Sequence, residues 1–171
     1  IGSTTGNNNV AVGMNSLTAS TTADNTVAIG HSALAQCTTG DDNVAVGRSA
    51  LGSSTTASDN TAVGDRALNQ TITGHSNAAV GKNALAANTT SFNTAVGFQA
   101  AEANTSGLGQ VVVGCNALQN NTTGSSNTAI GLDCLQQNTT ASSNTGVGRD
   151  ALKANTTGSF NTAIGGNSLQ V

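Results

Sequence analysis

Few residues in this chain can act as an acid, a base or a nucleophile near neutral pH. His31 and His75 are the two histidines, and their spacing from Ser and Asp residues supports no Ser-His-Asp triad. Acid–base and nucleophilic catalysis both need such groups to be held together. We therefore predict that the chain is not an enzyme, has no catalytic residue and uses no cofactor.

Four acidic residues are more suggestive, because they recur at a fixed interval. Asp24 and Asp41 are 17 residues apart, as are Asp42 and Asp59. Ca²⁺ is bound by several such oxygens. Asp is also a frequent turn residue, and the Gly-Gly-x-Gly-x-Asp signature of calcium-binding β-rolls is missing from the sequence. We favour a role in turns and predict no metal site, while cation binding by this cluster stays an open alternative.

The composition excludes several classes of function. Only 8% of residues are charged, against roughly 25% in a typical domain, and Pro, Trp and Tyr are absent from the sequence. The formal net charge is −3, and the five Lys and Arg residues are scattered, so we expect no nucleic-acid partner. No apolar run approaches the ~20 residues of a membrane span, so we expect no membrane insertion.

A strict repeat underlies this composition and argues against disorder. One copy reads Asn-Thr-Ala-Ile-Gly at 127–131, with Leu135 four residues after the glycine. A fixed period indicates one structural unit stacked on itself. Successive glycines are 17 residues apart except between Gly81 and Gly97, which are 16 apart. The glycines are Gly13, Gly30, Gly47, Gly64, Gly81, Gly97, Gly114, Gly131, Gly148 and Gly165.

The positions of each unit form columns that predict a structure. Val or Ile always precedes the glycine, and Val, Thr or Ala stands three before it, with a small residue between them (the alanine column). This alternation predicts a short strand. Leu follows four residues after the glycine in every unit except at Ala101 (the leucine column), and Asn stands four before it in eight units (the asparagine column). We predict that the Val/Ile and leucine columns form the core, that Asn side chains bond from unit to unit, and that the glycine marks a corner.

The polar remainder of the unit completes the predicted coil. Asn, Gly and Ser there favour turns, and paired Thr residues favour a second short strand. The fold class predicted is all-β, a parallel β-solenoid of ten 17-residue coils. It forms a single array over 1–171, interpreted as a segment of a longer fibrous protein. The one-residue deletion in the 81–97 unit falls in a turn and should leave the core columns in register.

The repeat resembles the head repeats of trimeric autotransporter adhesins, which carry a Ser-Val-Ala-Ile-Gly type motif. The segments that carry the resemblance are 26–30 and 127–131, and the Ala-Leu-x-x-Asn-Thr-Thr-Gly stretch at 117–124 is similar to arrays in phage tail fibres and large surface proteins. The resemblance implies a left-handed β-roll, a side-by-side homotrimer and an extracellular place on a cell surface or virion. It also implies close packing of the alanine column between chains. The head repeats are usually a few residues shorter than 17.

The expected function is structural and adhesive, with an ice-binding solenoid as the alternative. A rigid fibre segment could present repeated side chains to a host-cell surface, a glycan or a matrix protein. Ice-binding solenoids instead present flat ranks of Thr, and this chain repeats Thr-Thr in most units, for example at 38–39 and 122–123. Adjacent strand residues face opposite sides, however, so Thr-Thr places only one rank outward.

The residue after each glycine is the most variable, and it supplies the candidate binding residues. We call these positions the variable column and expect them to be exposed. Phe92 and Phe160 share another column and are either exposed contacts or caps over the core. Asn-x-Thr sites such as Asn88 are attributed to ladder and turn chemistry rather than to glycosylation. The candidate binding residues are His31, Arg48, Lys82, Phe98 and Arg149.

The three cysteines occupy three different columns. Cys37, Cys115 and Cys134 fit neither a disulfide framework nor a zinc site, because their number is odd and their spacing irregular. Cys134 stands where every other unit has Ala or Ser. We therefore expect it to be a small buried thiol.

Overall fold

A computed structural model describes residues 5–170, so residues 1–4 and 171 of the predicted array lie outside the described part. The chain is an all-β parallel solenoid of about nine turns, which confirms the predicted class. Each coil, meaning the residues from one repeat glycine to the next, contributes one three-residue strand. The strands are β1 Val10–Val12, β2 Val27–Ile29, β3 Val44–Val46, β4 Thr61–Val63, β5 Ala78–Val80, β6 Thr94–Val96, β7 Val111–Val113, β8 Thr128–Ile130, β9 Thr145–Val147 and β10 Thr162–Ile164.

The ten strands form one parallel sheet in sequence order, with equivalent residues of successive coils paired. The pairing passes through the short coil without a slip, since Ala79 of β5 pairs with Ala95 of β6. Thr90 takes over the place held elsewhere by Ala or Gly, and its carbonyl accepts a hydrogen bond from the Asn77 amide. The deletion therefore shortens a turn and leaves the core in register, as predicted.

The interior is built from the leucine and alanine columns. Leu34, Leu51 and Leu135 have no exposed surface, as is true of most of the leucine column. The alanine column faces the same interior, with Ala45 and Ala129 fully buried. Burial of the leucine column, at about 1.5–3 kcal/mol for each full side chain, is the main apolar contribution to stability.

The prediction that the Val/Ile column forms core is wrong. Val12 is 56% exposed and Val113 is 40% exposed, and no residue one or three before a glycine is buried. The strand alternates as expected, but its inward position is the alanine between the two larger residues. The alanine column is therefore buried inside its own chain, which also corrects its predicted role in packing between chains.

The prediction of a second strand at the paired Thr residues is also wrong. In residues 5–170 the only strands are β1 to β10, and Thr38, Thr39 and their equivalents lie in bends. The Thr38 hydroxyl donates to the Thr55 carbonyl at 3.0 Å, and Thr122 does the same to Thr139. These hydrogen bonds link coils without forming a ladder of strands.

Two columns of buried Asn side chains join the coils, one of them predicted. In the asparagine column, Asn127 Oδ1 accepts the backbone N–H of Asn144 at 3.0 Å, and its amide donates to the Ala141 carbonyl at 2.9 Å. A second column lies seven residues after the glycines. There the Asn121 amide donates to Asn104 Oδ1 at 2.8 Å and Asn138 donates to Asn121 at 2.9 Å. Both columns satisfy most of their buried polar groups between coils, although the Asn144 side-chain nitrogen has no hydrogen-bond partner among the described residues.

The repeat glycines form the corner where the strand ends. Their φ angles are positive, from +115° at Gly165 to +141° at Gly97 and Gly114. A Cβ atom on Gly13 would lie 2.7 Å from the carbonyl oxygen of Gly30 in the next coil. Both the left-handed backbone and the close approach between coils therefore require glycine here.

Candidate functional site

One uniform surface of the molecule is the outward side of the sheet. We call it the strand face, and it consists of the side chains one and three positions before each repeat glycine. Val10, Val111 and Ile130 are 45%, 45% and 38% exposed. None of these side chains on β1 to β10 is charged. The result is an uncharged, mainly apolar surface of Val, Ile and Thr that runs along the whole sheet. It is continuous, whereas exposed apolar residues on a monomer are normally isolated.

The variable column lies directly beyond the glycine corner and is exposed, as expected. Of the candidate binding residues, His31, Lys82 and Phe98 all have exposed side chains. Because the column repeats from coil to coil, these residues form one row rather than a compact cluster. Phe98 at 45% exposure and Leu132 at 43% lie two coils apart, with the exposed Cys115 between them. This part of the row continues the apolar strand face around the corner.

The two arginines of the row are held by carboxylates. Arg48 donates from Nη2 to Asp65 Oδ2 at 2.8 Å, and Arg149 donates from Nε to Asp150 Oδ2 at 3.0 Å. The hydrogen bond from Arg48 holds the pKa of the Asp65 carboxyl below its usual value and raises the pKa of Arg48. These side chains are therefore oriented rather than freely mobile, although solvent-exposed pairs of this kind add little stability.

A second charged cluster was not identified from the sequence. Lys153 Nζ lies 2.9 Å from both Asp133 Oδ2 and Asp150 Oδ1, and so joins two coils. Its hydrogen bonds are the main reason that the pKa values of both carboxyls are lowered and that the pKa of Lys153 is raised. The spacing of 20 residues between Asp133 and Lys153, one coil plus three, is the signal that could have revealed the pair.

The structure places the predicted Asp cluster in a turn role. Asp41 Oδ1 accepts the backbone N–H of Asp24 at 2.8 Å. In the later coils this position is held by Ser except at His75 and Leu108, and Ser142 Oγ accepts the N–H of Ser125 at 3.0 Å. Within residues 5–170 no three His, Cys, Asp or Glu side chains are placed to share a metal ion. Asp thus replaces Ser in a hydrogen-bonded turn between coils.

The cysteines follow the same pattern of substitution within columns. All three are free, with Cys37 and Cys134 buried and Cys115 exposed. Burial raises the pKa of the Cys134 thiol to about 11, so it is a neutral, unreactive group at physiological pH. The prediction of a small buried thiol at Cys134 is confirmed.

The remaining sequence candidates are separated by their exposure. Asn88, in an Asn-x-Thr site, is fully buried and donates to the Thr90 carbonyl, which supports the ladder and turn interpretation. Phe92 is 61% exposed and Phe160 is 83% exposed, so neither covers the core. The Phe92 ring meets the His75 ring edge-on, with centroids 4.9 Å apart.

A groove also crosses three coils on the turn that follows the glycine corner, with a volume of about 320 Å³. It was missed in the sequence, although its signal is visible there. Ala86, Ala87 and Ala103 replace larger polar residues of neighbouring coils, and Glu102 is the single glutamate of the chain. The exception in the leucine column, Ala101, lies directly beside it in sequence.

The described residues contain no helix that could cross a membrane. Comparison of the chain with protein-family models, with curated proteins and with solved structures gives no significant match.

Proposed function

We propose that this chain is a structural and adhesive segment of an extracellular fibre or surface adhesin, and that three copies associate side by side through their strand faces. The observation that carries the proposal is the exposed, uncharged strand face along the ten-stranded sheet. Fully buried interface cores are depleted in charged residues and are as densely packed as protein interiors. The strand face is already uncharged, and contact with the neighbouring copies would give its mostly β-branched side chains dense packing.

The rod itself supplies the stiffness that a fibre needs. Every described coil is bonded to the next through the parallel sheet. Thr hydroxyls bonded to carbonyls and the asparagine column add further bonds along most of the rod, and the second Asn column adds more from Asn88 onward. These bonds all run along the solenoid axis, so bending or extension has to break several of them together. In this role the chain acts as a shaft that holds its variable column and turns at fixed intervals for repeated contacts with a host-cell surface, a glycan or a matrix protein.

The extracellular location is part of the proposal and rests on the resemblance of the repeat to head and tail-fibre arrays. The homotrimer rests on that resemblance together with the strand face. The alanine column, which is buried inside its own coil, has no part in the interface. The left-handed winding that the resemblance implies belongs to the proposal as well.

Ice binding is the second candidate. The surface suited to it is the strand face, and not the Thr-Thr pairs that the sequence suggested. The exposed Thr-Thr bends do not lie on the sheet, whereas Thr61, Thr94 and Thr162 of the strand face are exposed on it. A flat, regular face of Thr, Val and Ile is suited to ordered water as well as to another chain. Both functions use the strand face. Ice binding requires this face to be exposed to solvent, whereas association covers it with another chain.

Native mass distinguishes them. We expect light scattering coupled to size exclusion to give the mass of three chains in dilute solution, since an exposed apolar face of this extent favours association. A stable monomer would contradict the trimer and would make thermal hysteresis the next measurement. Far-UV circular dichroism should show β structure in either case.

A further inference from the structure

The groove beside Glu102 has the construction of a binding site rather than of an ordinary gap between turns. Its base is lined by three alanines, at positions five and six after the glycines of two successive coils. The corresponding positions of the flanking coils carry Asn69 and Gln70 on one side and Gln119 and Asn120 on the other. The missing side-chain volume opens a cavity of about 320 Å³, near the lower end of the range for small-ligand sites, roughly 300–1,000 Å³. The alanines are Ala86, Ala87 and Ala103.

Five polar side chains surround these alanines and include one charge of each sign. Arg66 can donate hydrogen bonds from its guanidinium, and Glu102 can accept them. The remaining three are amides, each of which can donate and accept. The polar lining residues are Arg66, Asn69, Gln70, Asn83 and Glu102.

The carboxylate of Glu102 is fixed in place before any ligand arrives. Its Oε1 accepts a hydrogen bond from the Asn83 amide at 2.9 Å, and its Oε2 accepts one from the Gln119 amide at 3.3 Å. A carboxylate oxygen has more than one acceptor site, so each can take a further hydrogen bond from a ligand. Asn69 is fixed as well, because its amide donates to the Ser49 carbonyl at 2.9 Å. A site fixed in this way loses little conformational entropy on binding.

The balance of these groups disfavours any ligand with a net charge. An anion would meet Glu102 and a cation would meet Arg66, so a ligand with a net charge gains one ion pair and suffers one repulsion. A neutral ligand with several hydroxyl groups can donate to Glu102, accept from Arg66 and exchange bonds with the amides. The alanine methyl groups suit the C–H face of a sugar ring. We propose that the groove binds a neutral saccharide.

This inference deepens the recognition role in the proposed function, and it rests on that role only for its biological meaning. The groove lies on the turn after the glycine corner, on different columns from the strand face. Association through the strand face would therefore leave the groove open in every copy. A trimer would carry three such grooves, which would raise its avidity for a glycan surface without any new contact.

A filling substitution with a matched control tests the proposal. Ala87 and Ala154 occupy the same column, where other coils carry Gln70 and Gln137, so Gln is compatible with the fold at both positions. We expect Ala87→Gln to fill the groove and weaken saccharide binding at least about tenfold, a loss of ~1.4 kcal/mol. Ala154→Gln, outside the groove, should bind as the unsubstituted chain does. The measurement is saturation-transfer NMR on the full chain with the methyl glycosides of glucose, galactose, mannose and N-acetylglucosamine.

A second variant tests the role of the fixed carboxylate. Glu102→Gln keeps the shape and one acceptor oxygen but removes the charge, so its affinity for the same glycosides should fall while its β circular dichroism stays unchanged. The proposal is overturned if no glycoside gives a saturable signal, if Ala87→Gln binds as tightly as the unsubstituted chain, or if only acetate or methylammonium binds. Native mass is measured on the same samples, so failure of the saccharide site is distinguished from failure of the trimer.

Discussion

Gly146 stands in the alanine column, where eight of the ten strands carry Ala. The contact with Cys134 explains this exception. A Cβ atom on Gly146 would lie 2.5 Å from Cys134 Sγ, the atom by which Cys134 exceeds the Ala of most other coils. One position has gained volume and its neighbour has lost it. Close packing of the interior requires this balance, because a solenoid coil cannot expand without disturbing the coils on either side.

The same balance holds in another coil with larger residues. Ala101 replaces Leu in the leucine column, and the alanine column of the same coil carries Val112, which is fully buried. Ala101 and Val112 have the same relation in the repeat as Leu135 and Gly146, and a Cβ on Gly146 would contact Leu135 Cδ1 at 3.5 Å. The two departures from the repeat in this coil therefore compensate each other.

We expect Gly146→Ala to destabilise the protein by about 1–3 kcal/mol, because the added methyl group overlaps the Cys134 sulfur. Cys134→Ala should remove the overlap, so the double variant should regain most of the lost stability. The measurement is the free energy of unfolding in denaturant for both single variants and the double variant. Purely additive effects would contradict the steric pairing, since residues in contact should show a coupling energy.

At the scale of the structural element, the repeating coil was largely predictable from the sequence, but the side of the strand that faces the interior was not. The 17-residue period, the strand, the buried leucine column, the corner glycine and the harmless deletion near Thr90 all follow from spacing and residue type. Hydropathy could not decide which strand side faces inward, because Val, Ile and Ala are all apolar. The alternation of side chains along the extended chain could have decided which side faces inward. The alanine column stands two residues after the asparagine column, so a buried asparagine column places the alanine column on the inward side as well.

The groove shows why the site was harder to predict than the fold. Its polar groups lie on three coils, and none belongs to a motif with known chemistry. The variable column is a row that crosses every described coil, and none of its residues lines the groove. In a repeat, an open groove forms where larger residues are replaced by small ones, as at Ala86 and Ala103.

The second Asn column makes a testable contribution to the joining of coils. Asn121 donates to Asn104 at 2.8 Å and to the Gly124 carbonyl at 2.9 Å, and it accepts from Asn138 at 2.9 Å. Asn121→Ala should cost about 1–3 kcal/mol for each buried partner left without a hydrogen bond. Asn120→Ala, at an exposed neighbouring position, should change stability by less than about 0.5 kcal/mol. Equal unfolding midpoints for the two variants would show that the column contributes nothing.

At the scale of the whole molecule, the two sides of the sheet are buried in the opposite way to what side-chain hydropathy suggests. The strands point their smallest apolar residues, the alanine column, toward the interior that the leucine column fills, and the β-branched residues cover the outside of the sheet. This arrangement suits a chain whose β-branched surface is reserved for association. It separates two tasks: Leu, Ala and Asn columns hold one rod together, while the strand face is available to join rods.

A charge placed on the strand face tests that division directly. Val113 lies on β7, well inside the sheet, with 40% of its surface exposed. We expect Val113→Lys to be a monomer where the unsubstituted chain forms the proposed trimer, because association would bury an unpaired ammonium group in each copy at a cost of several kcal/mol. Folding of the single chain should be unaffected, since the side chain points outward. Thr123→Lys, on an exposed bend of the next coil, is the matched control and should keep the mass of the unsubstituted chain by light scattering. A Val113→Lys variant that kept the trimer mass would place the interface elsewhere on the rod and leave the strand face without a partner.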